Sequence, residues 1–176
     1  MTHRLIHVYT GDGKGKTTAA LGLALRAAGH GWHTYIGQFM KGGAGPDYGE
    51  LEAVTALNGR ITIEQFGQPA FVYAGQTTPQ DHSLAQKGLE RVQEAMSSGA
   101  YQLVVLDEIN VALYFNLLTV QDVLDLIEHK PDDVELVLTG RRVPEEILAR
   151  ADYVTEMQER KHPYQQGIQA RRGIEF

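Results

Sequence analysis

The chain has 176 residues, 43% of them apolar and 22% charged, and this composition predicts one globular domain covering residues 1–176. It has no cysteine, which excludes disulfides, thiolate metal ligands and a thiol nucleophile. Its net charge of −6 argues against a general electrostatic affinity for nucleic acid. No apolar run approaches the ~18 residues of a membrane span, and no signal peptide precedes the first predicted strand. We therefore expect a cytoplasmic protein without a nucleic-acid or membrane partner.

The first predicted elements are a strand at residues 5–9, a glycine-rich turn and a helix at residues 16–28. The turn lies within VYTGDGKGKTTAALG, residues 8–22. Gly15-Lys16-Thr17 match the end of the phosphate-binding pattern G-x-x-x-x-G-K-[ST]. The first glycine is displaced by one residue, since Thr10 stands where the pattern requires it and Gly11 follows.

A strand, a glycine loop and a helix in this order favour a phosphate site over a simple turn that caps a helix. Consecutive backbone N–H groups of residues 11–18 can surround anionic oxygens, and the helix N-terminus adds positive potential. Lys16 supplies a mobile charge, and Thr17 supplies a hydroxyl for Mg²⁺. Lys14 adds a second positive charge to the loop.

Strands and helices alternate along the rest of the chain. The further strands are predicted at residues 33–39, 60–66, 103–106, 134–138 and 152–156. Three further helices are predicted. The first follows residue 80 and ends near residue 98, the second spans residues 119–129 with Thr119 as N-cap, and the third begins at Pro144. A glycine-rich loop at residues 41–49 and an irregular stretch at residues 68–80 separate them. The alternation predicts an α/β fold with a doubly wound, mostly parallel sheet.

The predicted strand at residues 103–106 ends in Asp107 and Glu108. A continuous apolar run is typical of a strand buried on both faces of a parallel sheet. The acidic end resembles the Walker B strand, whose carboxylate holds Mg²⁺ or Mn²⁺ directly or through water. Arg141 follows the next strand and should lie at the same sheet edge. Contact with phosphate and a plain surface charge are equal alternatives for Arg141.

A kinase would need mobile arginines that clamp the transferred phosphoryl group. From the glycine-rich loop that starts at Lys41 up to the Walker B strand, the only lysines and arginines are Lys41, Arg60, Lys87 and Arg91, and they form no arginine-rich lid. The irregular stretch instead carries Phe71 and Tyr73, which predict a site for a large flat ligand.

Six segments together resemble the P-loop class of ATP:corrinoid adenosyltransferases. In chain order they are VYTGDGKGKTTAALG, GQFMKG, LVVLDEINVALYFNLL, ELVLTGR, ADYVTEM and KHPYQQGIQARRGIEF. The resemblance implies the three-layer α/β/α fold of RecA-like P-loop NTPases. It also implies an enzyme that joins the 5′ carbon of ATP to the Co(I) of a reduced corrinoid and releases triphosphate. The longer arm that relatives carry before the first strand is nearly absent here.

The resemblance also implies roles for individual residues. Lys16 and Glu108 would be catalytic, with Thr17, Asp107 and Glu108 at the metal. Phe71 and Tyr73 fall where relatives place aromatic rings against the corrin. The expected ATP-binding set is Gly11, Asp12, Gly13, Lys14, Gly15, Lys16, Thr17, Thr18, Arg26 and Arg141. Arg26 belongs to it only if the ligand lies along the helix. A homodimer and an electron-donating reductase or flavoprotein are the expected protein partners.

Two other functions would use the same loop. A P-loop ATPase or switch that acts on a protein partner would also use Asp107 and Glu108. A small-molecule kinase is disfavoured by the missing arginine lid. The absence of an obvious general base does not count against adenosyl transfer, because Co(I) is itself a strong nucleophile. The product distinguishes the three functions: triphosphate, ADP plus phosphate, or ADP plus a phosphorylated acceptor.

Overall fold

The computed structural model describes residues 4–43, 48–69 and 75–176. These residues contain one six-stranded sheet with the strand order β3-β2-β4-β5-β1-β6. The strands are β1 Ile6–Thr10, β2 Thr34–Phe39, β3 Ile61–Phe66, β4 Leu103–Asp107, β5 Glu135–Thr139 and β6 Tyr153–Glu156. All five pairings are parallel. The predicted doubly wound parallel sheet is therefore confirmed.

Helices cover both faces of this sheet. They are α1 Lys16–Gly29, α2 Gly49–Ala53, α3 Pro79–Ser97, α4 Ile109–Tyr114, α5 Val120–Glu128 and α6 Glu145–Leu148. Short 3-10 helices occur at Val54–Leu57 and Pro163–Gln166. No helix among the described residues is long and apolar enough to cross a membrane.

Alternating residues of the central strands feed two separate cores. Val104 and Leu106 of β4 pack into a cluster with apolar residues of α3, α4, α5 and α6. Leu103 and Val105 pack on the opposite face with the alanines of α1. This alternation follows from the two-residue period of a strand. It makes the fold a three-layer α/β/α sandwich, as expected.

Two helices, α2 and α4, were not predicted from the sequence. Each has five or six residues, too few to display a helical period. Helix α4 begins at Ile109, and its N-cap Glu108 has a φ of 62°, which turns the chain out of β4. The predicted N-cap of α5 is confirmed: Thr119 and Asp122 form a reciprocal capping box.

The strand order decides which loops meet at the carboxyl edge of the sheet. Strand β4 lies between β2 and β5, and β5 pairs with β1 on its other side. The loops that follow these four strands therefore run side by side. They carry the phosphate loop after β1, Lys41 after β2, Glu108 after β4 and Arg141 after β5. This edge is where ligands bind in open α/β sheets.

Candidate active site

The phosphate loop packs against the segment that follows β6. Met157 donates its N–H to the carbonyl of Thr10 at 2.8 Å, and Gly13 donates its N–H to the carbonyl of Met157 at 2.6 Å. A Cβ on Gly11 or Gly13 would lie 2.5 or 2.6 Å from the Met157 carbonyl oxygen. Gly11 also has a φ of +91°. The displaced glycine of the motif is thus required where the loop passes Met157, whereas Thr10 completes strand β1.

Lys16 is folded back onto its own loop. Its Nζ donates to the carbonyl oxygens of Gly11 at 2.6 Å and Gly13 at 2.7 Å, and the residue is only 6% exposed. Burial and then the positive charge of Arg141 lower the pKa of Lys16. No side chain caps the N-terminus of α1 at Gly15, so its first N–H groups can bind an anion.

Asp107 is the centre of a buried polar network and is 1% exposed. Its Oδ1 accepts hydrogen bonds from the hydroxyls of Thr17 at 2.8 Å and Thr139 at 2.7 Å. Its Oδ2 accepts from Lys41 Nζ at 3.0 Å and from Gln38 Nε2 at 3.3 Å. These donors come from α1 and from the ends of β2 and β5, so the carboxylate joins three elements.

Glu108 differs from its neighbour because its carboxyl group faces the cavity. Its φ of 62° is unusual for a residue with a side chain, and its N–H donates to Thr139 Oγ1 at 2.9 Å. Such strained backbone concentrates at functional sites. Burial and then the charge of Asp107 raise the pKa of Glu108, while Lys41, Lys16 and Arg141 act in the opposite direction. The carboxyl is therefore well placed to bind a cation.

A cavity of about 730 Å³ extends from the phosphate loop. One wall is residues 13–18, and Lys41, Glu108 and Arg141 lie along the sheet edge. The opposite wall is the C-terminal tail, with Ala170 and residues 173–176. Lys14 connects the two walls by donating to the carbonyl of Ile174 at 3.1 Å. The volume is in the range of nucleotide and cofactor pockets, roughly 300–1,000 Å³.

Comparisons with known proteins identify the family of this chain. The family model of ATP:corrinoid adenosyltransferase BtuR/CobO/CobP matches residues 2–176. The chain belongs to this family. It is therefore a transferase that adenosylates corrinoids, with ATP and a corrinoid as substrates, and the alternative of an ATPase or switch is not favoured. The resemblance found in the sequence motifs is confirmed.

Individual relatives agree with this assignment of the adenosyltransferase. A corrinoid adenosyltransferase of Sinorhizobium sp. is 37% identical over 173 residues, 98% of this chain and 80% of the relative. That of Escherichia coli K12 is 30% identical over 172 residues, 98% of this chain and 85% of the relative. A KaiC-like protein from Pyrococcus horikoshii has a TM-score of 0.60 at 17% identity, covering 92% of this chain and 76% of that one. This last likeness concerns the fold alone.

The structure brings most of the predicted site residues together. The predicted residues that line the cavity of the adenosyltransferase are Gly13, Lys14, Gly15, Lys16, Thr17, Thr18, Glu108 and Arg141. Gly11 lies beneath the loop against Met157, and Asp107 is buried behind Thr17 and Lys41. Asp12 lines a smaller neighbouring pocket with Arg141 and Glu156.

The described residues do not place three of the predicted residues in this arrangement. Arg26 lies in the last turn of α1, is exposed, and is not among the residues that line the cavity. Phe71 and Tyr73, the predicted corrinoid contacts, lie outside the described residues. Their placement therefore stays a prediction.

Sequence reasoning assigned no role to Lys41, Thr139 or the tail wall. Lys41 and Thr139 lie at or just after the ends of β2 and β5. In the sequence, Lys41 lies in the segment GQFMKG and Thr139 in the segment ELVLTGR, each just after the end of a predicted strand. Recognising their role required knowing that β2 and β5 are the two neighbours of β4.

The side-chain oxygens at this site fit a divalent ion that binds together with a nucleotide. Among the described residues, no group of three or more His, Asp or Glu side chains is arranged to hold a metal. Mg²⁺ in nucleotide sites typically uses one or two carboxylates together with substrate phosphates and water. Thr17 and Glu108 line the cavity, and Asp107 lies directly behind Thr17. These oxygens match the preference of Mg²⁺ and Mn²⁺ for hard ligands.

Proposed function

We propose that the phosphate loop of this adenosyltransferase holds the triphosphate of ATP as a leaving group while the 5′ carbon faces the cobalt of the reduced corrinoid. The observation that supports this most directly is that Lys16, Thr17, Glu108 and Arg141 line a single cavity. The cavity is long enough to continue past the loop to the C-terminal tail. The nucleoside would occupy that further part.

The reaction needs donors rather than a protein base. Co(I) gives an electron pair to the 5′ carbon and forms the Co–C bond. The bond between that carbon and the phosphate oxygen breaks, and its electrons leave with the triphosphate. No proton has to be removed from either substrate. The loop N–H groups, Lys16 and Arg141 then stabilise the negative charge that grows on the leaving group.

Lys16 is prepared for this role by its position. Among the described residues, its ammonium donates hydrogen bonds only to carbonyl oxygens of its own loop, at Gly11 and Gly13. Phosphate oxygens bound in the same loop would give this ammonium negatively charged partners in place of the neutral carbonyls. Because the ammonium is already held there, binding requires little reorganisation, which is the basis of electrostatic preorganisation.

Mg²⁺ or Mn²⁺ would be held by Thr17, Asp107 and Glu108 and would act as a Lewis acid on the phosphates. The Thr17 hydroxyl donates its proton to Asp107, so its lone pairs are free to face the cavity. The Glu108 carboxyl supplies the negative ligand on the cavity side. Besides contacting the ion, Asp107 would fix the orientation of Thr17 by accepting the hydrogen bond from its hydroxyl.

The remaining assignments rest on the resemblance alone. Phe71 and Tyr73 would contact the corrin, so Tyr73→Ala should weaken corrinoid binding and leave ATP binding largely intact. A loss of ATP affinity with normal corrinoid affinity would contradict this placement. Arg26 would assist only a nucleotide lying along α1. A homodimer, a reductase or flavoprotein as electron donor, and a cytoplasmic location complete the proposal.

The decisive experiment mixes the protein with Mg-ATP and a corrinoid under strong reduction and without oxygen. The visible spectrum follows Co(I), and the phosphate products are separated and counted. We expect the Co(I) bands to disappear with release of one triphosphate for each corrinoid alkylated. Formation of ADP and phosphate regardless of corrinoid would contradict the leaving-group role of the loop.

A further inference from the structure

Lys41 is an unexpected cation at the metal side of the site. Its Nζ lies 3.0 Å from Asp107 Oδ2 and 3.8 Å from a carboxylate oxygen of Glu50, and its side chain is 16% exposed. It also lies over the ring of Tyr48, 5.1 Å from the centroid. Lys41 lines the same cavity as Thr17 and Glu108. One ammonium thus contacts both the buried carboxylate and the space where the nucleotide would bind.

The backbone around Lys41 is held tightly in place. Met40 has a φ of 64°, a left-handed conformation that residues with side chains rarely adopt. A Cβ on Gly67 would lie 2.5 Å from the backbone nitrogen of Lys41, and one on Gly42 would lie 2.2 Å from the Gly67 carbonyl oxygen. The turn after β2 therefore packs directly on the chain after β3. This contact directs the Lys41 side chain toward β4.

Asp107 needs a positive partner because it is buried. Its Oδ1 is occupied by two hydroxyl donors, Thr17 and Thr139, which carry no charge. Among the described residues, Lys41 is the one whose positive charge contacts Asp107 Oδ2. A buried carboxylate without a counter-charge is strongly destabilising. Lys41 therefore supplies the positive charge at Asp107 that a bound divalent ion could also supply.

We propose that Lys41 is a built-in counter-cation of the metal site, which neutralises Asp107 in the nucleotide-free enzyme and is released from it when the divalent ion binds. The proposal rests on the metal site proposed above. Two positive groups cannot share this carboxylate without repulsion. The released ammonium faces a cavity that then contains phosphate oxygens. Metal alone should bind weakly, and metal with ATP should bind well.

The test measures Mn²⁺ binding without nucleotide, from the electron paramagnetic resonance signal of free Mn²⁺. Wild type is compared with Lys41→Met and with Lys87→Met, which removes an exposed lysine of α3 that does not line the cavity. We expect Lys41→Met to bind Mn²⁺ at least about tenfold more tightly than wild type. Lys87→Met should match wild type. Unchanged or weaker binding by Lys41→Met would overturn the proposal.

Thermal unfolding gives a second readout, which remains informative if Lys41→Met is less stable than wild type. Lys41→Met should unfold at a lower temperature than wild type in EDTA, because Asp107 has lost its counter-charge. Saturating Mn²⁺ should restore most of that loss, and it should raise the wild-type midpoint much less. A variant that stays equally destabilised with Mn²⁺ would argue against the proposal. Lys41→Gln, which keeps an N–H donor for Asp107, should show the same pattern with smaller shifts.

Wild type with ATP separates this proposal from the one on which it rests. If wild type binds no Mn²⁺ even with ATP, the proposed metal site itself is wrong. If wild type binds Mn²⁺ with ATP, and Lys41→Met gains nothing without it, the metal site stands. In that case only the role of Lys41 is rejected.

Discussion

Thr139 and Asp107 connect two neighbouring strands at the carboxyl edge of the sheet: the Thr139 hydroxyl donates to Asp107 Oδ1 at 2.7 Å. The same hydroxyl oxygen accepts the N–H of Glu108 at 2.9 Å. One buried side chain thus orients both acidic residues. It lies at the end of β5, directly beside the end of β4.

Replacing Thr139 by valine should therefore damage the site without touching substrate. Thr139→Val keeps the shape of the side chain but removes the donor to Asp107 and the acceptor for Glu108. We expect kcat/KM and Mn²⁺ affinity in the presence of ATP to fall roughly 10- to 100-fold, as for other outer-shell partners of metal ligands. Thr155→Val, on the exposed strand β6, is the control and should be nearly neutral. An active Thr139→Val with normal metal affinity would contradict this role.

Removing the loop lysine should cost more. Lys16→Ala deletes the ammonium held at Gly11 and Gly13 and with it a preorganised donor for the triphosphate. We expect a loss of roughly 3 kcal/mol or more in transition-state stabilisation, measured from kcat/KM for ATP. Lys87→Ala on the exposed face of α3 serves as the matched control. A loss confined to KM, with kcat unchanged, would mean that Lys16 binds ATP without favouring the transition state.

Two glycine substitutions should have different effects, one on ATP affinity and the other on the stability of the fold. Gly13→Ala would place a Cβ 2.6 Å from the Met157 carbonyl oxygen, so the loop must move and ATP affinity should fall. Gly22→Ala lies within α1 with no atom within 4 Å of the new Cβ. It should stabilise the protein by up to about 1 kcal/mol, because alanine is the better helix former. Denaturant unfolding and ATP titration of both variants test the pair. Equal ATP affinity in the two would disprove the close packing of the loop on Met157.

The C-terminal tail should contribute to nucleotide binding more than to folding. It lines the cavity at Ala170 and residues 173–176, but none of its residues belongs to either apolar core. Deleting residues 170–176 should weaken ATP binding by about tenfold, by analogy with the loss of a pocket wall, and change the unfolding midpoint little. Calorimetric titration with ATP gives the affinity. Arg150→Ala, which breaks an exposed ion pair with Glu128 away from the tail, is the control. Similar ATP affinity in wild type, the deletion variant and the control would contradict the prediction.

Stability in acid should depend on Asp81, which caps α3. Its carboxylate accepts hydrogen bonds from the N–H and hydroxyl of Thr78 at 2.8 and 2.7 Å and from Gln68 at 2.7 Å. Burial raises the pKa of Asp81, but the hydrogen bonds from Thr78 and Gln68 outweigh it, and the net pKa is lowered. A carboxyl with a lowered folded-state pKa stabilises the fold above its ordinary pKa, and this contribution is lost as the pH falls through the lowered value.

Asp81→Ala should therefore lose about 1 kcal/mol of stability at neutral pH, the typical value of a helix cap. The difference from wild type should shrink as the pH falls below the ordinary pKa of aspartate. Urea unfolding at neutral and acidic pH measures both quantities. Asp133 is an exposed aspartate whose carboxylate accepts no hydrogen bond from the described residues. The free energy of unfolding of Asp133→Ala should therefore match that of wild type at each pH. A pH-independent difference for Asp81→Ala would exclude the carboxylate as the cause.

The sequence by itself determined the local parts of this site. The phosphate loop between β1 and α1 is a contiguous motif, and residues 103–108 display an apolar strand followed by acids. Both signals are local because they arise from short-range backbone geometry and from the burial of a single strand. The six motif segments were also sufficient to recognise the family, since they extend over nearly the whole chain.

Only the tertiary structure decided which strand ends meet. Lys41 and Thr139 contact Asp107 across sequence separations of 66 and 32 residues, because β2 and β5 flank β4. Met157 explains the displaced glycine, and the tail completes the cavity from the far end of the chain. Strand order is set by the packing of the two cores, and no residue pattern within one strand encodes its neighbours. For that reason the contact of Lys41 with Asp107 could not be predicted from the sequence.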